Sequence, residues 1–151
     1  MRRAARLLLL LALLHSGAGA QERYRVAGTE VTDARSGLVW RRCGAGQRLA
    51  GAHCEGTAAA AQWHEALAYA HAEAGRTGLA WRLPTLNEFA ALGRADPGAF
   101  PGLEPGQWIW SATPVSGDAA HVWVNDFASG RSTTYPALGH DLGIRLVRSM
   151  R

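Results

Sequence analysis

Ser111, His121 and Asp126 are the residue types of a hydrolytic triad. In such a triad the histidine takes the serine proton and the carboxylate orients the histidine. The chain has no G-x-S-x-G turn that would expose the serine to a substrate, and the three residue types occur in many unrelated sequences. We therefore predict no catalytic residue and no enzyme activity. A hydrolase that uses these three residues is the weakest of the alternatives.

Two groups of residues match parts of metal sites. His64-Glu65 begins an H-E-x-x-H pattern, but Ala68 stands where the second histidine ligand is needed. Asn125, Asp126 and Glu104 carry side-chain oxygens of the kind that bind Ca²⁺, but three oxygens do not complete a calcium site. We predict no metal and no cofactor, and we expect Asn125 and Asp126 to lie on a polar strand that faces solvent.

Tryptophans offer a different kind of chemistry, because indole rings stack on the apolar faces of sugars. The chain has six tryptophans, and Trp108, Trp110 and Trp123 are the three with polar or charged neighbours that suit an exposed surface. For each of them a place in the apolar core is the favoured alternative to ligand contact. Amide, carboxylate and guanidinium groups nearby would orient hydroxyl or sulfate groups. The predicted ligand-binding residues are Trp108, Trp123, Asn125, Asp126, Arg131 and Tyr135.

Cys43 and Cys54 are the two cysteines of the chain, and they are eleven positions apart. In an exported protein such a pair most simply forms a disulfide. A metal site would need a C-x-x-C spacing or several histidines in register, and only His53 is adjacent. We predict a structural disulfide that closes a glycine-rich surface loop.

The first twenty residues have the pattern of a secretory signal. Arg2, Arg3 and Arg6 precede an apolar run from Leu7 to Leu14, and Ala18-Gly-Ala20 is typical of a signal-peptidase site. We expect cleavage to leave one domain over residues 21–151. We therefore expect an exported protein, periplasmic or secreted.

Charge and hydropathy restrict the partners of that mature chain. The full sequence has 16 basic and 12 acidic residues, and three of the basic residues belong to the predicted signal. The remaining 13 basic and 12 acidic residues give a net charge of +1, which is too small a positive field to favour nucleic acid. No apolar run in the mature chain approaches the roughly 20 residues of a membrane-spanning helix, so we predict no membrane span.

Helices are predicted in the first half of the mature chain. The stretch from Thr57 to Gly75 is rich in alanine, and Trp63, Leu67, Ala70 and Ala74 would form its buried stripe. A second helix begins near Thr85, which has capping-box spacing to Glu88 and is followed by Phe89 and Leu92 as buried residues. Proline and glycine between residues 93 and 107 predict a long ordered loop.

Strands are predicted at both ends of the mature chain. An N-terminal hairpin is predicted from a strand that includes residues 24–26 and Val31, a turn at 33–37 and a strand at 38–40. Four short β-rich segments follow residue 107, at 108–111, 122–124, 131–135 and 144–147. Two helices followed by a group of strands predict an α+β fold, with the N-terminal strand beside the C-terminal one.

Several ordered segments together resemble the Lcl C-terminal domain family, named after a collagen-like bacterial adhesin and long described as a domain of unknown function. The matching segments, in chain order, are Val31 to Trp40 (V-x-D-x-x-T-G-L-x-W), Trp63 to Tyr69 (W-x-E-A-L-x-Y), Trp81 to Glu88 (W-R-L-P-T-x-x-E), Trp110 to Thr113 (W-S-S-T), Trp123 to Gly130 (W-x-V-x-F-x-x-G) and Ile144 to Arg148 (R-x-V-R). The Cys43 to Cys54 insertion is similar to a variant of that family.

The resemblance implies a C-type-lectin-like fold with two helices and a small twisted, mostly antiparallel sheet, found in exported bacterial proteins. It implies binding or adhesion to glycans or other surface ligands, and it carries over no catalytic residue. The main functional prediction is thus an exported, non-enzymatic binding domain. The alternative is a structural or accessory subunit that docks on another exported protein.

Overall fold

Residues 22–150 are described by the structure, a computed structural model. This part of the chain contains two helices and eleven short strands, so the predicted α+β class is confirmed. The predicted signal over residues 1–20 lies outside the described residues. No helix within residues 22–150 is long and apolar enough to cross a membrane.

One sheet joins the two ends of the described chain. It contains β1 (Tyr24–Ala27), β2 (Glu30–Asp33), β3 (Leu38–Arg41) and β11 (Val147–Ser149), in that spatial order and all antiparallel. Val147 pairs with Trp40, which confirms that the N-terminal strands lie beside the C-terminal one.

A second sheet has five strands and carries most of the late sequence. Its strands are β6 (Ala60–Ala61), β10 (Leu142–Gly143), β7 (Trp108–Val115), β8 (Asp118–Asp126) and β9 (Arg131–Pro136), in that spatial order. The pairing of β10 with β7 is parallel and the others are antiparallel. The prediction of one strand over 144–147 is wrong, because Ile144, Arg145 and Leu146 connect β10 to β11 as a buried irregular segment.

The first helix, α1, spans Trp63–Thr77 and is shorter at its start than predicted. Thr57 is not its cap; the Glu65 side chain accepts a hydrogen bond from the Gln62 backbone instead, and Gly78 ends the helix in the left-handed region at φ 66°. Gly75 is therefore inside the helix. Two of the preceding alanines form β6, because that segment pairs with β10.

The buried face of α1 matches the predicted stripe at Trp63, Ala70 and Ala74, which all contact the apolar core, but not at Leu67. Ala66 and Ala70 are the fully buried residues, whereas Leu67 is exposed. The second helix, α2, spans Leu86–Leu92 and has the predicted capping box and buried residues, Phe89 and Leu92. Both of these predictions for α2 are confirmed.

The core consists of two apolar clusters on opposite faces of the five-stranded sheet. Side chains alternate along a strand, so neighbours on β7 point to opposite faces: Trp110 belongs to the cluster that packs on α1, and Ile109 to the cluster that packs on α2. The second cluster is aromatic and includes Trp40, Phe89, Phe100 and Phe127. Phe100 comes from the segment 93–107, which has neither helix nor strand, as predicted.

Cys43 and Cys54 are disulfide-bonded, which confirms that prediction. The loop that they close contains a small hairpin of β4 (Arg48–Ala50) and β5 (His53–Glu55). Cys54 Sγ lies 3.4 Å from the carbonyl oxygen of Pro101, so the hairpin packs against the proline-containing loop 93–107.

Candidate functional site

The six predicted ligand-binding residues do not share one surface. Trp108 pairs with Asp126 across β7 and β8, and Val122 pairs with Tyr135 across β8 and β9. Since partners in register point to the same face and neighbours along a strand alternate, Trp123 lies on the opposite face. The sheet register therefore separates Trp108, Asp126, Arg131 and Tyr135 from Trp123 and Asn125.

Asn125 and Asp126 are buried, each with 1% relative exposure. The Asn125 amide nitrogen donates to Ser132 Oγ at 3.0 Å, and Asp126 Oδ2 accepts from Ser129 Oγ at 2.7 Å and from the Gly106 backbone at 3.2 Å. The expectation of a solvent-facing polar strand is wrong here. The covering loops and the β9 pairing bury this end of β8. The Asn125 amide nitrogen and Asp126 Oδ2 are hydrogen-bonded within the protein, whereas Asn125 Oδ1 and Asp126 Oδ1 have no partner among the described residues.

Burial lowers the number of tryptophans available to a ligand. Trp110 is fully buried and its Nε1 donates to the Ala61 carbonyl at 2.7 Å, whereas Trp108 and Trp123 are half-buried. Tyr135 is also half-buried and its ring packs edge-on against His140. Arg131 is the exposed member of the predicted set. Ligand contact by Trp123, Arg131 and Tyr135 stays a prediction.

The residues of the hypothetical triad have different partners from those that catalysis needs. Ser111 is buried and its Oγ contacts the Thr113 backbone, while His121 Nδ1 lies 2.7 Å from Asp118 Oδ2. No hydrogen bond joins Ser111, His121 and Asp126 in the described part of the chain. Within residues 22–150 there is likewise no group of three or more His, Cys, Asp or Glu residues that could hold a metal ion.

A cavity of about 290 Å³ lies beside Trp108, at the point where the disulfide loop, loop 93–107, β6, β7 and β10 meet. We call it the Trp108 cavity; the residues that line it include Gln47, Ala58, Gln107, Trp108, Asp141 and Arg145. Its lining residues thus include one tryptophan, two glutamines, one aspartate and one arginine. Asp126 accepts a hydrogen bond from the Gly106 backbone and so fixes the segment that precedes Trp108.

Arg145 is the most unusual side chain at the cavity. It is 4% exposed, and its Nη1 donates to the backbone carbonyls of Arg41 and Arg42. Its guanidinium also lies over the rings of Phe127 and Phe100, at 4.7 and 5.7 Å from the ring centroids. Removal from water lowers the pKa of Arg145 to about 10, so the group is still charged at neutral pH.

A second depression, of about 310 Å³, separates the disulfide loop from α1. We call it the Glu73 cleft, and its lining includes Arg41, Arg48, Tyr69, Glu73 and Arg76. Glu73 contacts the guanidinium groups of both Arg41 and Arg76, at 2.9 and 2.7 Å, and the hydrogen bond from Arg76 is the main reason that the pKa of Glu73 is lowered. This shared carboxylate neutralises part of the positive charge of the cleft.

Neither depression was predicted from the sequence as a site. Trp108 was the only predicted ligand residue that lines the Trp108 cavity. The burial of Arg145 could have been predicted from its position between Ile144 and Leu146. A charged side chain within an apolar segment is buried, and a buried charge either has partners or serves a function.

The architecture defines an α+β domain with several ligand-sized depressions on its surface, among them the Trp108 cavity and the Glu73 cleft. Residues 29–148 match the family model described as the Lcl C-terminal domain, and the chain therefore belongs to that family. The resemblance drawn from the ordered sequence segments is thereby confirmed. A search of curated proteins finds no match.

Proposed function

We propose that this protein is an exported, non-enzymatic binding domain that recognises a glycan through the Trp108 cavity. The observation that carries the proposal is the half-buried Trp108 at the wall of a 290 Å³ cavity, beside the polar side chains of Gln107 and Asp141. An aromatic face next to a few hydrogen-bonding groups suits a sugar ring. The proposal keeps Trp108 as a ligand contact and gives Asp126 a supporting role.

The proposed fold type is C-type-lectin-like. Paired chain ends, two helices and a long irregular segment over residues 93–107 support this assignment, together with membership of the Lcl C-terminal domain family. In this proposal the irregular segment and the disulfide loop form the ligand-binding end, since both line the Trp108 cavity.

Export is the proposed setting of this binding. The Cys43–Cys54 disulfide persists in an oxidising compartment, and the sequence of residues 1–20 has the pattern of a secretory signal. Cell fractionation followed by N-terminal sequencing tests this proposal. A mature protein that begins at Gln21 and is recovered outside the cytoplasm is the expected result; an uncleaved cytoplasmic protein would contradict it.

A glycan array, read with and without Ca²⁺, tests the binding function. Three variants each remove one aromatic side chain from a different surface: Trp108→Ala at the cavity, Trp123→Ala on the opposite face of the sheet, and Tyr69→Ala at the Glu73 cleft. We expect Trp108→Ala to weaken binding about tenfold or more, which corresponds to the loss of a central aromatic contact. The other two variants should bind like the unaltered protein.

Each alternative gives a different array result. Loss of binding in Trp123→Ala or Tyr69→Ala alone would move the site to that surface. No glycan signal, combined with co-purification of a specific exported protein, would favour the accessory-subunit alternative. Because Trp108 also packs on the core, Trp108→Phe serves as a second variant, and circular dichroism and urea unfolding confirm that each variant is folded.

A further inference from the structure

The strand β9 has one edge that no other strand of the described residues pairs with. It is the last strand of the five-stranded sheet and pairs with β8 alone. β9 spans six residues, whereas no other edge strand of the described chain is longer than the four residues of β1. Five of the six residues are exposed. β9 is therefore the longest unpaired strand edge in the part of the chain that the structure describes.

The backbone groups along this edge come from every second residue. The Ala137 N–H donates to the Ala120 carbonyl at 2.9 Å, one position beyond the last pair of β8 with β9. Hydrogen-bonded and non-hydrogen-bonded pairs alternate along antiparallel strands, so every second residue of β9 directs its N–H and C=O groups away from β8. The residues that face outward are Ser132, Thr134 and Pro136. A proline is tolerated in a sheet where its nitrogen faces away from the neighbouring strand, as the nitrogen of Pro136 does.

β9 lacks the features that usually prevent edge-to-edge pairing. Exposed edges are commonly interrupted by a bulge, or by a lysine or proline within the strand. The pairing of β8 with β9 runs without a bulge, Arg131 at the start of β9 is its one charged residue, and the proline is its last residue. Two residues beyond β9, Leu138 is 69% exposed, more than any other large apolar side chain of the described residues. This edge and its apolar neighbour favour contact with another strand.

The sequence of β9 pairs well with itself in one register. Two copies related by a two-fold axis pair antiparallel, and the residue on the axis defines the register. With Thr133 on the axis, Ser132 of each copy lies opposite Thr134 of the other, and both pairs exchange N–H and C=O hydrogen bonds. With Thr134 on the axis, Ser132 would lie opposite Pro136, which has no N–H. With Ser132 on the axis, Thr134 would lie opposite Gly130, whose N–H is already bonded inside the β8–β9 turn.

The side chains agree with the same register. It places Arg131 of each copy opposite Tyr135 of the other, and both residues point to the same face of the sheet. A guanidinium is attracted to the face of an aromatic ring, and cross-strand pairs of this kind stabilise a sheet. The two copies of Arg131 are four positions apart, about 14 Å along the strands. This separation exceeds the Debye length of about 8 Å at physiological salt, so the repulsion between them is screened.

We propose that β9 pairs with β9 of a second copy of this chain, with Thr133 on the two-fold axis, and that the resulting homodimer has a continuous sheet of ten strands. The inference goes beyond the proposed function and does not depend on it. The Trp108 cavity is lined by β6, β7 and β10, which lie toward the opposite edge of the five-stranded sheet. Pairing through β9 therefore leaves both cavities of the dimer uncovered.

Sedimentation equilibrium of the purified mature protein, from about 10 μM to about 1 mM, tests the dimer. A single strand pair is a small interface, so we expect a Kd on the order of 0.1 mM. Thr134→Pro removes an outward N–H from each copy and leaves the hydrogen bonds to β8 in place. It should raise the Kd about tenfold or more, because both pairs of Ser132 with Thr134 lose a hydrogen bond.

Val26→Pro is the matched control on the edge strand β1. The Ala34 N–H donates to the Arg23 carbonyl at 2.8 Å, so by the same alternation the Val26 N–H also faces away from the neighbouring strand. Val26 is 49% exposed, and its replacement likewise removes an outward donor from an exposed edge. This variant should dimerise like the unaltered protein.

Thr133→Cys tests the register without a proline. Thr133 would face its own copy in a non-hydrogen-bonded pair, where Cα atoms are about 4.5 Å apart, a distance that a disulfide spans. Under mild oxidation this variant should form a covalent dimer on a non-reducing gel, since the two natural cysteines are already bonded to each other. Thr134→Cys is the control, because its two copies are offset by two positions, about 7 Å along the strands, and should not cross-link.

Each result supports or contradicts the dimer. A protein that stays monomeric up to about 1 mM would overturn the proposal. Dimerisation that survives Thr134→Pro, or that is lost in Val26→Pro, would place the interface on another surface. Cross-linking of Thr134→Cys but not of Thr133→Cys would contradict the register. If circular dichroism shows that Thr134→Pro is unfolded, the two cysteine variants still decide the question. A monomer that binds glycans through Trp108 would contradict this inference and leave the proposed function standing.

Discussion

Glu88 contacts Arg82 through both of its carboxylate oxygens, at 2.6 and 2.7 Å, and one of the same oxygens accepts a hydrogen bond from the Thr85 backbone at 2.8 Å. One carboxylate therefore caps α2 and fixes the segment that precedes it. Arg82 in turn exchanges backbone hydrogen bonds with Val147, which belongs to β11. Through these contacts the start of α2 is attached to the sheet that contains both ends of the described chain.

Replacement of Thr85 by alanine tests the cap. The Thr85 hydroxyl accepts from the Glu88 backbone at 3.2 Å, so Thr85→Ala should lower the free energy of unfolding by about 1 kcal/mol. Urea unfolding measures this change. Thr57→Ala is the matched control, because Thr57 is exposed and outside any helix. Equal losses in the two variants would show that the capping box contributes nothing, and a loss of ligand affinity in folded Thr85→Ala would contradict a purely structural role.

Asp33 makes the stability depend on pH. Burial alone would raise the pKa of Asp33. Hydrogen bonds from the Arg23 guanidinium, at 2.8 and 3.0 Å, and from the Arg35 backbone stabilise the charged carboxylate more than burial destabilises it. The pKa of Asp33 is therefore below its usual value. A carboxyl whose pKa is lower in the folded state stabilises the fold above its unfolded pKa. That stabilisation is lost as the pH falls through the folded pKa.

We therefore expect the free energy of unfolding to decrease as the pH is lowered from neutral to acid. The decrease should be less steep in Asp33→Asn. At neutral pH this variant should be less stable by about 2 kcal/mol, since it loses charge-assisted hydrogen bonds at a buried site. Urea unfolding over a series of pH values measures both effects. Glu104→Gln is the control, because Glu104 is exposed and forms no ion pair within the described residues. A parallel pH profile in Asp33→Asn would contradict the assignment.

The Cys43–Cys54 disulfide should contribute about 2–4 kcal/mol to stability, because it closes a loop in the unfolded chain. The double variant Cys43→Ser, Cys54→Ser and the reduced unaltered protein should lose the same amount, as measured by urea unfolding. Mass spectrometry of unreduced peptides from exported protein checks that the bond is present. Free thiols in that material would contradict the disulfide.

Local signals predicted part of this fold correctly. The capping box of α2 lies within four consecutive residues, Thr85 to Glu88, so its outcome depends little on the rest of the chain. The start of α1 was predicted wrongly because the same alanines suit a helix, and their pairing with Leu142 and Gly143 of β10 makes them a strand. A contact so distant in sequence leaves no local pattern.

The candidate site was less predictable than the fold. Asn125 and Asp126 are polar and lie at a strand end, which indicates exposure, but the register with β7 and β9 and the covering loop bury both. The sequence indicated Trp108 as a candidate ligand contact and left its exposure open, whereas the cavity beside it is assembled from five separate parts of the chain. Periodicity and spacing carry no information about such an assembly.

Replacement of Gly130 should lower the stability of the fold more than replacement of Gly117. Both have φ 77°, the left-handed region that favours glycine. A Cβ on Gly130 would lie 2.8 Å from the backbone of Gly93 and Arg94 at the end of α2, whereas a Cβ on Gly117 would meet nothing within 4 Å.

Gly117→Ala should therefore lower the free energy of unfolding by about 1 kcal/mol, the cost of the left-handed conformation alone. Gly130→Ala should lower it by about 3 kcal/mol or more, because the β8–β9 turn must also move away from α2. Urea unfolding of the two variants side by side gives the difference, and that difference isolates the steric contact from the backbone strain. Equal losses would mean that the turn moves freely, and that the close packing of Gly130 against the end of α2 does not hold β8 and β9 in place.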